Sequence, residues 1–531
     1  MYEEKFSMPM FRGFVPERIR PWIYLLVAFA FQMSGGIYLA ALDDLEGQRC
    51  WMREDCLMTL YMNMLGLALS FPLLFRTKFR FTNKQLLCFA AVGVIVEQLV
   101  SMYCDCLPIV WAVAFLGGYF KLQGTFECLS NIQLWMSPTR DFRVFFPILH
   151  VLILGSVCTS SFLSAWLAYY VGWQMMHWLV MGVMLVCLLF FTVCLRSFHH
   201  IPHVQPLRGI DWTGLALLSL FFAQVLYVLT YGDWAGWTDS ATIRSLLVGS
   251  AVTLLLFLWR NFSIEQPIVE HKMWTYPHVL PILLITLLFE GLLASERVLE
   301  EIYVSEVMHY GMVTHQTHFN LIGILGVLSG CAFCYVWLVR LRKRLLPLLA
   351  IGVCFVIVYL VTMYTTISPA VNIEQLYPAI FCRQFATATL GICLLTTLQS
   401  LVGFMHFFQC LAIFQTLHLC CGSAIGAALY GETFRRYISL NFARYGEAVT
   451  AEAFTSSPFD LGSFISGQFL PDVMAISLKT IYGWVAYIAV FTLLFILFYD
   501  ICLKRRRLQR FLWMPSWKNI VIISTKIRHK K

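Results

Sequence analysis

Charged residues are scarce in this 531-residue chain: only 13% are Asp, Glu, Lys or Arg, whereas 59% are hydrophobic. A soluble domain carries about 25% charged residues, and a soluble chain of this length needs polar surfaces around several domains. The shortage of charge excludes a disordered chain, a nucleic-acid-binding protein and an ordinary cytosolic enzyme. The composition predicts a polytopic membrane protein whose solvent is lipid.

Several signatures of other protein classes are also missing. The chain has no GxxxxGK[ST] loop for nucleotide phosphates, no paired CxxC motifs for zinc, and neither an HExxH nor a GxSxG catalytic motif. We therefore expect no ATP hydrolysis, no cofactor and no enzymatic activity, including activity on membrane lipids. A His-His-x-x-His run at 199–203 could bind a metal ion, but a solvated linker explains it better, and we predict no metal site. The first apolar run is long enough to span a membrane, so we expect no cleavable signal peptide.

Apolar runs of about 20 residues, the length of a membrane-spanning helix, recur along the chain. They predict an all-α fold with fourteen spans, at 21–42, 57–75, 85–103, 107–136, 144–168, 174–195, 211–231, 242–259, 278–299, 318–338, 345–366, 374–398, 403–430 and 480–502. With both termini in the cytoplasm, most of the 38 Lys and Arg residues fall on the cytoplasmic side, as the positive-inside rule requires. The connection 430–474 is then a long outward loop, and 503–531 is a basic cytoplasmic tail attracted to anionic lipid.

Polar features recur at one offset along the chain, which is typical of transporter repeats. Lys121 in span 4 and Arg383 in span 12 are 262 residues apart, and the basic segments after spans 2 and 10 are separated by about the same distance. This repeat predicts two parallel six-helix bundles, at 1–205 and 263–502, with an inserted helix pair at 206–262.

Short motifs carry a resemblance to a known family. Segment 209–214 reads Gly-Ile-Asp-Trp-Thr-Gly and resembles an Asp-Trp-x-Gly entry to an inserted helix pair. Tyr231-Gly232 with Gly236-Trp237 resembles the Gly-x-x-x-Gly-Trp exit from the same helix, and Gln123-Gly124 resembles part of a span-4 motif. On these motifs the chain resembles the fourteen-span EmrB/QacA-type drug:proton antiporters of the major facilitator superfamily.

The resemblance implies two six-helix bundles plus two inserted helices in a bacterial inner membrane. It also implies proton-coupled efflux of lipophilic or toxic small molecules, with a periplasmic adaptor protein as a partner for the outward loop. A basic gating loop after span 2 is typical of the superfamily, and Arg76, Lys78 and Arg80 keep its positive charge. The alternative is uptake or exchange of an organic anion or nutrient, in which Lys121 and Arg383 bind the anion.

Charged side chains within the spans are the main candidate site residues, because each costs about 2.5–3.5 kcal/mol at mid-bilayer. The candidates for proton coupling or substrate binding, together with one neutral polar neighbour, are Glu97, Lys121, Gln123, Glu127, Glu290 and Arg383.

Glu290 is the leading candidate because it lies about 13 residues into span 9, close to the midplane at about 1.5 Å per residue. A carboxylate at that depth can carry a proton, and it can attract a cationic substrate when ionised. The structural alternative is an ion pair with Arg383 or Lys121. Glu97 is similarly deep, but span 3 is often peripheral in this fold.

Lys121 and Arg383 occupy matching positions in the two halves. The resemblance links a span-4 cation to proton coupling, and the alternative is a symmetric structural role in neutralising acids. Glu127 lies nearer the cytoplasmic end, where we expect a gate with Arg140 or Arg143.

Overall fold

The computed structural model describes residues 8–35, 37–40, 42–136, 141–199, 209–276, 278–448 and 469–512. These residues are almost entirely helical, and the β contact found among them is an isolated antiparallel bridge between Phe11 and Leu195. The long helices are α1 Arg20–Gln32, α2 Arg53–Arg80, α3 Asn83–Tyr103, α4 Leu107–Met136, α5 Phe142–Tyr170, α6 Gln174–Cys194, α7 Trp212–Tyr231, α8 Ala241–Ser263, α9 Val279–Val307, α10 Met312–Arg340, α11 Leu345–Thr366, α12 Ile373–Leu401, α13 His406–Arg444 and α14 Leu470–Leu512.

Within the described ranges, twelve helices are long and apolar enough to cross a membrane, which supports a multi-pass membrane protein. The other two long helices do not meet these criteria. Helix α1 has only 13 residues before a short 3-10 turn interrupts it. Helix α4 has 30 residues but carries several polar side chains, among them Lys121, Glu127 and Asn131. The count of fourteen spans therefore stays a prediction.

The expected gating loop is helical, which corrects the sequence-based boundary of span 2. Helix α2 continues through a 3-10 turn to Arg80 instead of ending at 75. No proline or glycine follows Phe75 to stop the helix, and Thr82 already caps α3, since its Oγ1 accepts a hydrogen bond from the backbone N–H of Gln85 at 3.3 Å. Arg76, Lys78 and Arg80 therefore project from a helix.

The predicted outward loop at 430–474 is also partly helical, so that boundary was wrong at both ends. The helix continues beyond the apolar span α13, past Arg444 to Ala448, and α14 begins at Leu470. Glu432 pairs with Arg435 at 2.7 Å and with Arg436 at 2.6 Å, and ion pairs three or four residues apart support a helix. Residues 449–468 of this connection lie outside the described part. The predicted tail is helical to Leu512, and its remainder also lies outside.

The helices pack in a pattern that occurs twice. Helix α4 contacts α2 and α3, α6 contacts α3, and α5 contacts α1; correspondingly, α12 contacts α10 and α11, α14 contacts α11, and α13 contacts α9. The two sets meet where α5 packs on α10 and α2 packs on α13. We call α1–α6 the first half and α9–α14 the second half; the domain limits at 205, 206, 262 and 263 stay predictions.

The Asp-Trp-x-Gly motif begins α7 and ties it to α8. The Asp211 carboxylate accepts a hydrogen bond from the backbone N–H of Gly214 at 2.9 Å and pairs with Arg260 of α8 at 2.8 Å. Glycine suits position 214 because a Cβ atom there would overlap the Asp211 carboxylate and would have to displace it. The motif is therefore explained by helix capping and by the pairing of α7 with α8.

The end of α7 is built around two glycines. Gly236 has φ +71°, in the left-handed region that favours glycine. The backbone N–H of Trp237 donates to the Gly232 carbonyl at 2.7 Å, and the Trp237 ring fills the space that a Gly232 side chain would need. The α7–α8 pair contacts α2 and α13, and the Tyr231 hydroxyl donates a hydrogen bond to Asp55 of α2.

Candidate functional site

Glu290 of α9 contacts His418 of α13, and we call these two residues the central pair. His418 Nδ1 lies 2.6 Å from Glu290 Oε1, and the two side chains are 18% and 17% exposed. Gly422 packs so closely on Glu290 that a Cβ atom at position 422 would overlap it. The pair therefore joins two helices of the second half and stays partly accessible.

The backbone around His418 is irregular. Residues Leu417–Cys421 form a π-helical turn, a feature that often marks functional sites. This turn packs against α2 of the first half, where Cys420 Sγ lies 3.8 Å from the Tyr61 carbonyl oxygen. The central pair thus lies next to the interface between the halves.

The structural alternative for Glu290, an ion pair with Arg383 or Lys121, does not occur in the structure. His418 is the partner that the structure gives Glu290, whereas Arg383 binds carboxylates nearer the end of α9. Nothing in the spacing of Glu290 and His418 along the sequence pointed to their pairing.

Arg383 is the centre of a second cluster, which we call the Arg383 cluster. The Nη1 atom of Arg383 lies 2.9 Å from Glu300 Oε2 and 3.0 Å from Glu296 Oε1. Tyr359 of α11 donates a hydrogen bond to the other oxygen of Glu300, and its hydroxyl lies 2.9 Å from Ser295 Oγ. Sequence reasoning missed Glu300 because we placed it just beyond the end of span 9, whereas α9 continues through a 3-10 turn and a π turn to Val307.

Glu97 and Lys121 are buried together in the first half. Asn63 of α2 donates a hydrogen bond to Glu97 Oε1 at 2.8 Å, and Lys121 of α4 attracts the same carboxylate electrostatically. Among the described residues, Glu97 Oε2 has no hydrogen-bond partner. A Cβ atom at Gly117 would overlap the carboxylate, so α4 approaches α3 closely at this point.

Glu127 is fully buried and pairs with Lys78 of α2 at 3.2 Å, whereas we had expected Arg140 or Arg143. Arg140 lies outside the described part of the chain. Lys78 also donates a hydrogen bond to Ser130 of α4. The contact joins α2 to α4 within one half, near the predicted cytoplasmic end.

The remaining predicted residues lie around this contact. Gln123 is buried, and its Oε1 accepts a hydrogen bond from the Thr77 hydroxyl at 3.0 Å. Arg76 Nη2 lies 3.3 Å from Gln266 Oε1, in the segment that leads into α9. Arg80 is exposed. The structure thus places the predicted residues in several separate groups instead of one pocket.

The two halves also contact each other at the predicted outer end, and sequence reasoning missed this contact. Arg53 Nη2 lies 2.5 Å from Glu301 Oε2 and 2.5 Å from the backbone carbonyl oxygen of Arg297. The Arg297 guanidinium lies over the Tyr61 ring, 5.4 Å from its centroid. We call the Arg53–Glu301 pair the outer latch.

At the predicted inner end, the contact between the halves is aromatic. The Phe408 ring lies 4.5 Å from Phe75 and 5.8 Å from Phe126 between centroids, and Phe407 lies 5.8 Å from Phe142. The central pair therefore lies between two layers of contact that join the halves. A polar pair between the outer latch and the inner aromatic contact is the arrangement expected of a transport path that opens at one end at a time.

No group of three or more His, Cys, Asp or Glu side chains suited to a metal ion occurs in the described ranges. His200 and His203 of the His-His-x-x-His run lie outside them.

Curated relatives match part of this chain. An uncharacterized MFS-type transporter, YcnB of Bacillus subtilis, is 27% identical over 138 residues, which cover 26% of this chain and 28% of the relative. The lincomycin resistance protein LmrB of Listeria monocytogenes is 21% identical over 170 residues, 32% of this chain and 35% of the relative. The matching parts thus span about a third or less of the relatives' length. No family model matches the chain.

Solved structures resemble nearly the whole chain in fold. The peptide transporter POT in complex with sulfate aligns with 92% of this chain and 96% of its own, with a TM-score of 0.60 and 13% identity. The nucleoside transporter NupG aligns with 90% of this chain and 99% of its own, with a TM-score of 0.52 and 10% identity. At this identity the likeness shows the fold alone. The chain is therefore similar to MFS-type transporters in part of its sequence and to transporters in its fold, while membership of the fourteen-span drug:proton antiporter branch of the major facilitator superfamily stays a prediction.

Proposed function

We propose that the chain is a secondary active transporter that exchanges protons for lipophilic or toxic small molecules and exports them. The observation that carries the proposal is the central pair. A carboxylate and an imidazole in contact, partly accessible and beside the interface between two helical halves, form a unit that can hold and release one proton. LmrB, a relative named for lincomycin resistance, supports export only weakly.

In the proposed cycle, loss of the proton leaves Glu290 ionised and able to attract a cationic or polarised substrate. Proton return neutralises the carboxylate and releases the substrate on the other side. The Phe414 ring stacks on His418, with centroids 5.8 Å apart, and offers an apolar surface beside the charge. The outer latch and the inner aromatic contact would open alternately.

The alternative, transport of an organic anion, depends on Lys121 and Arg383 as anion-binding cations. Arg383 already binds two carboxylates, and Lys121 is attracted to Glu97. An anion would have to displace these partners, so the geometry supports this alternative less well.

Transport by purified protein in liposomes tests the proposal. With an imposed pH gradient and ethidium as the lipophilic cation, we expect Glu290→Gln to abolish proton-driven ethidium movement. Glu306→Gln is the matched control, because Glu306 lies in the same helix but is exposed, and it should keep the wild-type rate. Undiminished movement in Glu290→Gln would refute the proton-carrying role, and loss of organic-anion uptake in Lys121→Ala would instead favour the alternative.

An adaptor partner and an inner-membrane location with cytoplasmic termini are further parts of the proposal. The 39 residues of α13 would measure ~58 Å at ~1.5 Å per residue, longer than a hydrocarbon core of ~30 Å. Such a helix would project from the membrane and offer a surface to an adaptor. A photo-crosslinker at Arg436, whose side chain is 75% exposed, should capture the adaptor in cells, and crosslinking that recovers no second protein would contradict it.

A further inference from the structure

The Arg383 cluster contains more negative than positive charge. Glu296 and Glu300 both bind the same nitrogen, Arg383 Nη1, at 3.0 and 2.9 Å. In the described ranges no other Lys or Arg lies within ion-pair distance of either carboxylate. With both acids ionised, one cation therefore faces two anions, and Glu300, whose side chain is 1% exposed, has little water to stabilise its charge.

The neighbouring helices do not supply the missing positive charge. Tyr359 of α11 and Tyr482 of α14 face Glu300, and His315 of α10 faces Arg383. On α5, Cys158 faces Glu296. On α9 itself, Arg297 attracts Glu296, but it also attracts Glu290 and lies over Tyr61, and Glu301 is paired with Arg53.

The internal repeat shows that the additional acid is specific to the second half. At the offset of 262 residues, Lys121 matches Arg383, Glu97 matches Tyr359, and Tyr38 matches Glu300. Tyr38 and Lys121 both interact electrostatically with Glu97. Each half thus contains one cation, one glutamate and one tyrosine, with the glutamate and tyrosine exchanged between helices.

Glu296 breaks this correspondence. At the same offset, its counterpart in the first half is Ser34, so the first-half cluster has one carboxylate for one cation and the second-half cluster has two. Two carboxylates that share a site cannot both ionise easily, and one of them holds a proton instead.

We propose that Glu296 and Glu300 share one proton beside Arg383 and form a second proton-binding site, distinct from the central pair. Glu300 is buried, but the side chain of Glu296 is 46% exposed, so the proton can enter and leave through Glu296. The site extends the proposed function, since it would give the transporter a second coupling proton, but its occupancy can be measured without any transport.

Infrared difference spectroscopy of the protein in lipid nanodiscs, between about pH 9 and about pH 4, tests the site through its buried carboxylic-acid C=O band. The starting protein carries Glu290→Gln, so that the central pair does not contribute to the band. We expect Glu296→Gln and Glu300→Gln, each added alone, to remove the same band, because either change leaves one carboxylate for Arg383. Glu306→Gln, at an exposed position of α9, should leave the band unchanged.

Each outcome decides the proposal. The site is refuted if neither substitution removes a buried carboxylic-acid band, and a band lost in Glu300→Gln but retained in Glu296→Gln would refute the sharing. If Glu300→Gln does not fold, Glu296→Gln alone still decides the question, because position 296 is partly exposed and tolerates the change. A band retained in Glu296→Gln overturns the sharing, and a band lost in Glu296→Gln supports it. A failure of proton-driven ethidium movement would refute the proposed function but not the Glu296–Glu300 site, because the infrared band does not depend on transport.

Discussion

The outer latch makes a quantitative prediction about the equilibrium between the closed and open outer end. Arg53 crosses from the first half to bind Glu301 and the Arg297 carbonyl oxygen, both at 2.5 Å. Hydrogen bonds to charged groups contribute about 1.5–3 kcal/mol when buried, and exposed ion pairs contribute about 0.2–1 kcal/mol. The side chains of Arg53 and Glu301 are 28% and 17% exposed, which places the latch between these limits, at about 1.5 kcal/mol. Removing it should shift the equilibrium about tenfold towards the open outer end.

Cys420 of α13 is a natural reporter of this opening, because it is fully buried where α13 packs on α2. We expect Arg53→Gln to increase its labelling by a membrane-impermeant maleimide about tenfold in right-side-out vesicles, read at that peptide by mass spectrometry. Arg244→Gln is the matched control, since Arg244 is an exposed arginine of α8, and it should leave the rate unchanged.

The double variant Arg53→Gln/Glu301→Gln distinguishes a direct contact between Arg53 and Glu301 from independent effects of the two substitutions. Because both changes remove the same contact, the double variant should label no faster than the faster single variant. An unchanged rate in Arg53→Gln, or effects of the two single variants that multiply in the double variant, would refute this reasoning.

Three further predictions concern stability, measured as a change in melting temperature of the purified protein. Arg383→Gln leaves a buried carboxylate cluster without its cation and should lower the free energy of unfolding by about 3–5 kcal/mol; an unchanged melting temperature would contradict this. Lys78→Met removes the cation that pairs with the fully buried Glu127 and should cost a similar ~3–5 kcal/mol, while adding Glu127→Met should recover part of the loss. A further loss in the double variant would argue against the pair. Gly232→Ala places a methyl group where the Val228 carbonyl oxygen and the Trp237 ring already lie, and it should cost about 1–3 kcal/mol. Gly182→Ala, with nothing within 4 Å of the added methyl group, should be nearly neutral. Equal effects of the two substitutions would contradict the close packing.

The sequence predicts the helical class and most helix positions, because apolar runs and basic segments report directly on lipid and on its surfaces. It also singles out Lys121, Arg383, Glu97 and Glu127, since each is a charged group in an apolar run, and all four are buried. Helix ends were less predictable. The chain after Phe75 is polar, but polar residues can extend a helix beyond the lipid.

Partners were the least predictable feature. Glu290 pairs with His418, 128 residues away, and Arg53 with Glu301, 248 residues away. These pairings depend on how helices cross, and neither composition nor periodicity encodes that. The repeat offset of 262 residues does predict some neighbours, because it relates Glu97 to Tyr359 and Tyr38 to Glu300 as well as Lys121 to Arg383.

The charges of α9 connect the separate groups of the site. Four of its carboxylates, Glu290, Glu296, Glu300 and Glu301, face three arginines, Arg53, Arg297 and Arg383, and one histidine, His418. With the imidazole neutral, these groups carry one net negative charge, which a single proton at either the central pair or the Glu296–Glu300 site neutralises. Because all four acids lie on one helix, a proton gained at Glu290 leaves Arg297 free to attract Glu296 more strongly, and this weakens the hold of Glu296 on Arg383. The same helix carries Glu301 of the outer latch, so protonation near the membrane centre and closure at the outer end act on one structural element. In the proposed transporter, this shared helix would couple proton binding to the opening of the outer end.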